Sequence, residues 1–140
     1  SVFQDLRVLD EDKRYNTTVS EIVGAEIANL GDESLGTCGF SNIGAVVGAT
    51  YPESMIRLRQ IMPHTIFLLP GYGAQGGTAQ DVLPAFTARG NGAVVSSSRQ
   101  IIFAYEKLED PRPTREEIAG AIKDAALKAR DDVNSAVSLL

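Results

Sequence analysis

Residues 70–78 read Pro-Gly-Tyr-Gly-Ala-Gln-Gly-Gly-Thr, with four glycines in seven residues between an apolar run and a helix start. Glycine lets backbone N–H groups approach an anion closely, and a following helix N-terminus adds partial positive charge. Gln75 adds a side-chain amide. A second cluster, Ser96, Ser97, Ser98 and Arg99, closes the next apolar run and leads into Gln100, Ile101 and Ile102. Hydroxyls, helix-start amides and an arginine suit phosphate, because the planar guanidinium donates two parallel hydrogen bonds. Parallel strands bring both loops to one end of a sheet, so Gln75 and Arg99 can converge on one phosphate.

The same letters admit a second reading. Gly71-x-Gly73-x-x-Gly76 after a strand and before a helix satisfies the dinucleotide fingerprint. That fingerprint expects an acid about 20 residues on, at the end of the next strand. Here the next strand ends in serines, which disfavours NAD, while Ser98 and Arg99 would suit the extra phosphate of NADP. A plain tight turn and a surface arginine are the bland alternatives, as is a non-catalytic phosphate-binding domain. His64 precedes a strand, away from the ligand end, and Cys38 reads as a small packed side chain. With one histidine, no Ser-His-Asp set can be built.

Composition narrows the classes further. The chain has 140 residues, 44% of them hydrophobic and 22% charged, which is near the globular average and suits one domain over residues 1–140. Its net charge of −5, without basic runs, argues against nucleic acid or an anionic membrane as partner. No apolar run reaches the roughly 18 residues of a membrane span. One cysteine precludes an internal disulfide, and with a single histidine no Cys/His metal site is expected. The default expectation is a soluble cytoplasmic protein.

The elements that must position these loops follow one grammar of strand, glycine turn and capped helix. Strands are expected near 44–49 (GAVVGA), 65–69 (TIFLL) and 92–96 (GAVVS), each apolar on both faces as in a covered parallel sheet. Thr18 with Glu21, Thr50 with Glu53, and Thr114 with Glu117 are spaced as capping boxes, and Thr78 with Asp81 is a looser version. Pro52 suits a first helical turn, whereas Pro84 should bend the third helix. The expected buried stripes are Ile22, Val23, Ile27 and Leu30, then Met55, Leu58 and Met62, then Val82, Ala85 and Phe86. A last helix over about 114–139 puts Ile118, Ile122, Ala125, Ala129, Val133 and Val137 on one face. The polar opening, with Asp10 to Arg14, reads as a surface loop without a strand. These serial βα units suit an open sheet or part of a (β/α)8 barrel, which needs on the order of 250 residues to close.

The segments VGATYPE at 47–53, LLPGYGAQGG at 68–77 and SSSR at 96–99, followed by Ile101 and Ile102, resemble bacterial orotidine 5′-monophosphate decarboxylases of the long-chain, mycobacterial-type branch. Phe3-Gln4-Asp5 resembles the segment after that branch's fifth strand, so the likeness runs from about residue 3 to residue 105. The resemblance implies an α/β fold, the C-terminal part of a (β/α)8 barrel with strands six to eight and their helices. It implies conversion of orotidine monophosphate to uridine monophosphate without metal or organic cofactor, in a homodimeric full-length enzyme. Gln75 and Arg99 match the family's phosphate-binding residues, Gly77 and Ser98 are helpers, and Pro70 matches a residue near the pyrimidine. Ser96 departs from the family's usual Asn. The family's Asp-x-Lys-x-x-Asp array has no match here, so the resemblance implies no catalytic residue in this chain, an N-terminal half absent from it, and an inactive isolated chain.

Overall fold

The computed structural model describes residues 6–9, 15–49, 51–73 and 76–140. Its centre is a parallel three-stranded sheet in the order β3 (Gly44–Val46), β4 (Ile66–Leu69), β5 (Ala93–Val95). The strands sit where expected but are shorter than the apolar runs that announced them. Helix α2 (Pro52–Ile61) joins β3 to β4. The β4–β5 connection carries α3 (Ala79–Val82) and a 3₁₀ turn (Leu83–Ala85). Pro84 falls in that turn, so the helix ends before the proline rather than bending through it.

Alternation along β4 divides the sheet into two faces. Phe67 and Leu69 are fully buried, and the helices pack on that side with Met55, Leu58, Met62, Val82 and Ala85. On the other face Val46, Leu68 and Val94 stand in register across all three strands. They are 71%, 42% and 55% exposed. The sequence suggests cover on both faces, but the described elements cover only one. An apolar run shows that a face needs cover without specifying what supplies it.

Helix α1 (Val19–Asp32) starts with the Thr18–Glu21 capping box. Of its expected stripe only Ile27 packs against the core, half-buried, while Ile22, Val23 and Leu30 are exposed. The helix approaches α2 through Gly24 instead, where a Cβ would lie 3.3 Å from both Leu58 Cδ2 and Met62 Cε. Close backbone approach, rather than large side chains, sets this packing. Arg57 of α2 reaches across to Glu21 at 3.1 Å. Before α1, β1 (Arg7–Leu9) pairs antiparallel with β2 (Tyr15–Thr18). That hairpin corrects the expectation of an opening without strands. Residues 10–14 themselves, like Phe3, Gln4 and Asp5, lie outside the described residues.

Arg59 closes the N-terminal end of the sheet. Its guanidinium donates to the carbonyls of Met62 (2.9 Å), Thr65 (2.8 Å), Ala85 (2.9 Å) and Gly92 (2.8 Å). One side chain thus holds the end of α2, the entries to β4 and β5, and the 3₁₀ turn. Burial lowers its pKa to about 10, which leaves it charged at neutral pH.

After β5 come α4 (Ser98–Ile102), a second 3₁₀ turn (Ala104–Lys107) and α5 (Arg115–Val137). Helix α5 packs on α3, α4 and that turn. It buries Ala129 and Val133 of the expected stripe and also Ala136, while Ile118, Ile122, Ala125 and Val137 are half-buried. Capping boxes form at Thr78–Asp81 and Thr114–Glu117. At α2 the expected Thr50–Glu53 box is not what caps the helix. The N-cap is Tyr51, without a side-chain cap bond, and Thr50 lies outside the described residues.

Candidate functional site

Both loops singled out by composition leave the same end of the sheet. Backbone bonds from Ala49 N to the Pro70 carbonyl (3.1 Å) and from Ser96 N to the Leu69 carbonyl (2.9 Å) carry the pairing just past the strands. There, Pro70, Gly71, Tyr72 and residues 96–99 line a pocket of about 230 Å³. Pro70, Ser98 and Arg99 therefore meet at one site. Arg99 is the charged residue in that lining, and no acid faces it there. Its exposed side chain has no hydrogen-bond or ion-pair partner among the described residues. A free guanidinium beside the serine hydroxyls is suited to a phosphate-sized anion.

The glycine loop is closed on itself. Gly73 N–H donates to the Gly77 carbonyl (2.8 Å), Gly76 N–H to the Gly73 carbonyl (3.0 Å), and Gly77 N–H to the Gly71 carbonyl (3.3 Å). Gly71, Gly73 and Gly76 have φ of 102°, 73° and 89°, the left-handed region that favours glycine. At Gly73 space forbids a side chain as well, since a Cβ would fall 1.6 Å from Gln100 Oε1. The amide expected to face an anion at Gly77 is thus bonded within the loop, and Gly77 is buried. Gln75 lies outside the described residues.

The start of α3 carries the expected cap. Thr78 Oγ1 accepts from the Asp81 N–H at 3.3 Å, and Asp81 accepts from the Thr78 N–H at 2.9 Å. The Thr78 amide holds the Asp81 carboxyl below its ordinary value. A carboxylate already occupies the helix end that was expected to favour an anion. Positive charge at the site therefore rests with Arg99.

Sequence reasoning missed the connection between the loops. Ser97 Oγ shares its one proton between the Tyr72 carbonyl at 3.4 Å and Gln100 Oε1 at 3.3 Å. Tyr72 is buried, and its hydroxyl donates to Asp132 on α5. Burial first, and Asp132 second, push the Tyr72 pKa up to about 12. A tyrosine between two glycines was the available signal, but nothing local pairs it with a residue 60 positions on. His64 lies at the opposite end, in the turn before β4, with Nδ1 3.0 Å from the Gly39 carbonyl. Cys38 is exposed rather than packed, because its turn bonds within itself through Gly36 and Gly39. Among the described residues no group of His, Cys, Asp and Glu could hold a metal ion. No described helix is long and apolar enough to cross a membrane.

No protein-family model matches the chain. An orotidine 5′-phosphate decarboxylase of Clostridium kluyveri is 46% identical over 120 residues, covering 86% of this chain and 40% of that protein. The enzyme of the same name from Rhodopirellula baltica is 50% identical over 92 residues, covering 66% of this chain and 30% of that protein. Among solved structures, Leishmania donovani UMP synthase superposes with a TM-score of 0.61 at 30% identity, over 94% of this chain and 25% of that chain. Leishmania donovani OMP decarboxylase gives 0.55 at 27% identity, over 90% and 42%. The chain spans about two fifths of the length of the Clostridium kluyveri relative. It has the fold of part of a (β/α)8 barrel, and orotidine 5′-phosphate decarboxylases are its homologues over most of its length.

Proposed function

We propose that this chain is the C-terminal part of an orotidine 5′-phosphate decarboxylase and that it holds the substrate's phosphate. The observation that carries the reading is the identity of 46% over 120 residues to a protein of that name. The free Arg99 beside Pro70 and Ser98 supports it chemically. In this reading the three parallel strands are the sixth, seventh and eighth of the barrel, and the exposed row Val46, Leu68 and Val94 faces its interior. Arg99 and Gln75 grip the phosphate, Ser98 assists, and the Gly77 amide joins when its bond to the Gly71 carbonyl opens. Pro70 borders the pyrimidine.

The reaction converts orotidine monophosphate to uridine monophosphate and carbon dioxide, as a step of pyrimidine biosynthesis. The acid–lysine chemistry lies in the N-terminal half of the barrel, outside this chain, which alone is inactive. Binding a remote phosphate supplies energy for orienting the reacting ring. The full enzyme belongs to the long-chain branch, forms a homodimer, works in the cytoplasm, and requires no metal or organic cofactor. An NADP-linked oxidoreductase is disfavoured, since the homologues are decarboxylases by name.

A chimera tests this. The matched 120 residues replace their counterpart in the Clostridium kluyveri relative, and orotidine monophosphate decarboxylation is followed. Turnover, with protection by uridine monophosphate and not by NADPH, is the expected result. A folded chimera without turnover sinks the assignment.

A further inference from the structure

Among its described residues, the glycine loop spends its Gly73, Gly76 and Gly77 N–H groups on carbonyls inside residues 71–77. Among the described residues of the loop, Gly73 packs against the Gln100 side chain, and Tyr72 reaches furthest into the rest of the molecule. Its ring is 5% exposed within the core. Its carbonyl lies 3.4 Å from Ser97 Oγ, one residue before the helix that carries Ser98 and Arg99, and shares that hydroxyl's proton with Gln100 Oε1. Its hydroxyl donates to Asp132 on α5.

Phenylalanine would fill the same space, so packing alone leaves the hydroxyl unexplained. A buried hydroxyl without a partner is costly, and here the partner is a charged acceptor on a different element. Tyr72 also lines the pocket that Arg99 and Ser98 share. We infer that Tyr72 is a positioning residue, which through Asp132 and Ser97 holds the glycine loop and the serine–arginine turn in one arrangement around the phosphate pocket. The inference rests on the proposed function for the identity of the anion, but not for the tie itself.

Two measurements keep those separate. In the full 140-residue chain, amide hydrogen exchange is compared for wild type, Tyr72→Phe, Asp132→Ala and Asp132→Asn. Tyr72→Phe and Asp132→Ala should speed exchange about tenfold in residues 71–77 and 96–99, the scale of one lost hydrogen bond, while β4 is unchanged. Asp132→Asn keeps an accepting oxygen and should stay near wild type. In the decarboxylating chimera, Tyr72→Phe should raise KM for orotidine monophosphate about tenfold and slow turnover of phosphate-free orotidine by much less. Unchanged exchange in both loops would overturn the inference, as would equal losses on both substrates. A wild-type chimera that ignores orotidine monophosphate rejects the decarboxylase reading, and the exchange result then decides the tie alone.

Discussion

The guanidinium of Arg59 lies 3.7 Å above the centroid of the Phe67 ring, at the end of the sheet opposite the pocket that Arg99 lines. The ring fills the covered face of β4, and the cation above it donates to four carbonyls that would otherwise be strand and turn ends. A cation over an aromatic face is favoured when partly desolvated. Arg59→Ala should destabilise the chain by about 2–4 kcal/mol, through several charge-assisted bonds lost at once. Arg59→Lys should recover only part of this, because a single ammonium cannot span four carbonyls. Urea unfolding of both variants checks it, and equal midpoints with wild type would refute it.

Gly73 should not tolerate a methyl group. Alanine there meets both a positive φ of 73° and the Gln100 amide. Gly73→Ala should cost about 1–3 kcal/mol. Pairing it with Gln100→Ala removes the collision but not the backbone strain, so rescue should be partial. Full rescue in thermal melts would show that strain contributes nothing.

Arg99→Ala, in the decarboxylating chimera, should weaken binding of uridine monophosphate by about 2–4 kcal/mol, as for a lost charged hydrogen-bonded pair. Gln75→Ala should cost less, since a neutral amide donates a weaker bond. Calorimetric titration reads both. An unchanged affinity for Arg99→Ala would remove the phosphate assignment.

Tyr72 should be the late-titrating phenol. Its folded pKa is pushed up to about 12 against an ordinary 10.0. Its contribution to stability is complete below pH 10 and is lost as pH rises toward 12, because the unfolded chain gives up the proton first. Arg59, with its pKa lowered to about 10, acts in the opposite sense over the same window. Phenolate absorbance therefore isolates Tyr72 better than a stability curve does. Wild type should show a component that titrates near 12, absent from Tyr72→Phe.

The capping boxes predict acid sensitivity. Glu21 and Glu117 are held below their ordinary 4.5, and Asp81 below 3.8, in each case chiefly by the N–H of the capping threonine. Their stabilisation is present above those ordinary values and lost as pH falls through the lowered folded ones. Glu117→Gln should flatten part of that decline, which unfolding midpoints between pH 5 and pH 2 will show. An unaltered slope would mean that the Thr114 bond does not discriminate between the charged and neutral forms.

What the sequence determined by itself is local. A threonine three residues before an acid can close a capping box with no help from the rest of the chain, and at Thr18, Thr78 and Thr114 it does. Strands flanked by glycine turns and capped helices are legible for the same reason, and parallel connection then brings Pro70 and Ser96 to one end of the sheet. Tertiary structure decided what depends on distant partners. Arg59 meets Gly92 across 33 positions and Tyr72 meets Asp132 across 60, and neither spacing leaves a periodic trace. Helix α1 left Ile22, Val23 and Leu30 exposed, and at Gly24 it approaches Leu58 and Met62 of the α2 region more closely than a side chain would allow. Gly73, Gly76 and Gly77 used their amides on carbonyls of the same loop, a choice set by backbone closure between Gly71 and Gly77 rather than by composition. Residue types announced which groups can bind an anion, but only packing decided that Arg99 is left free to do it.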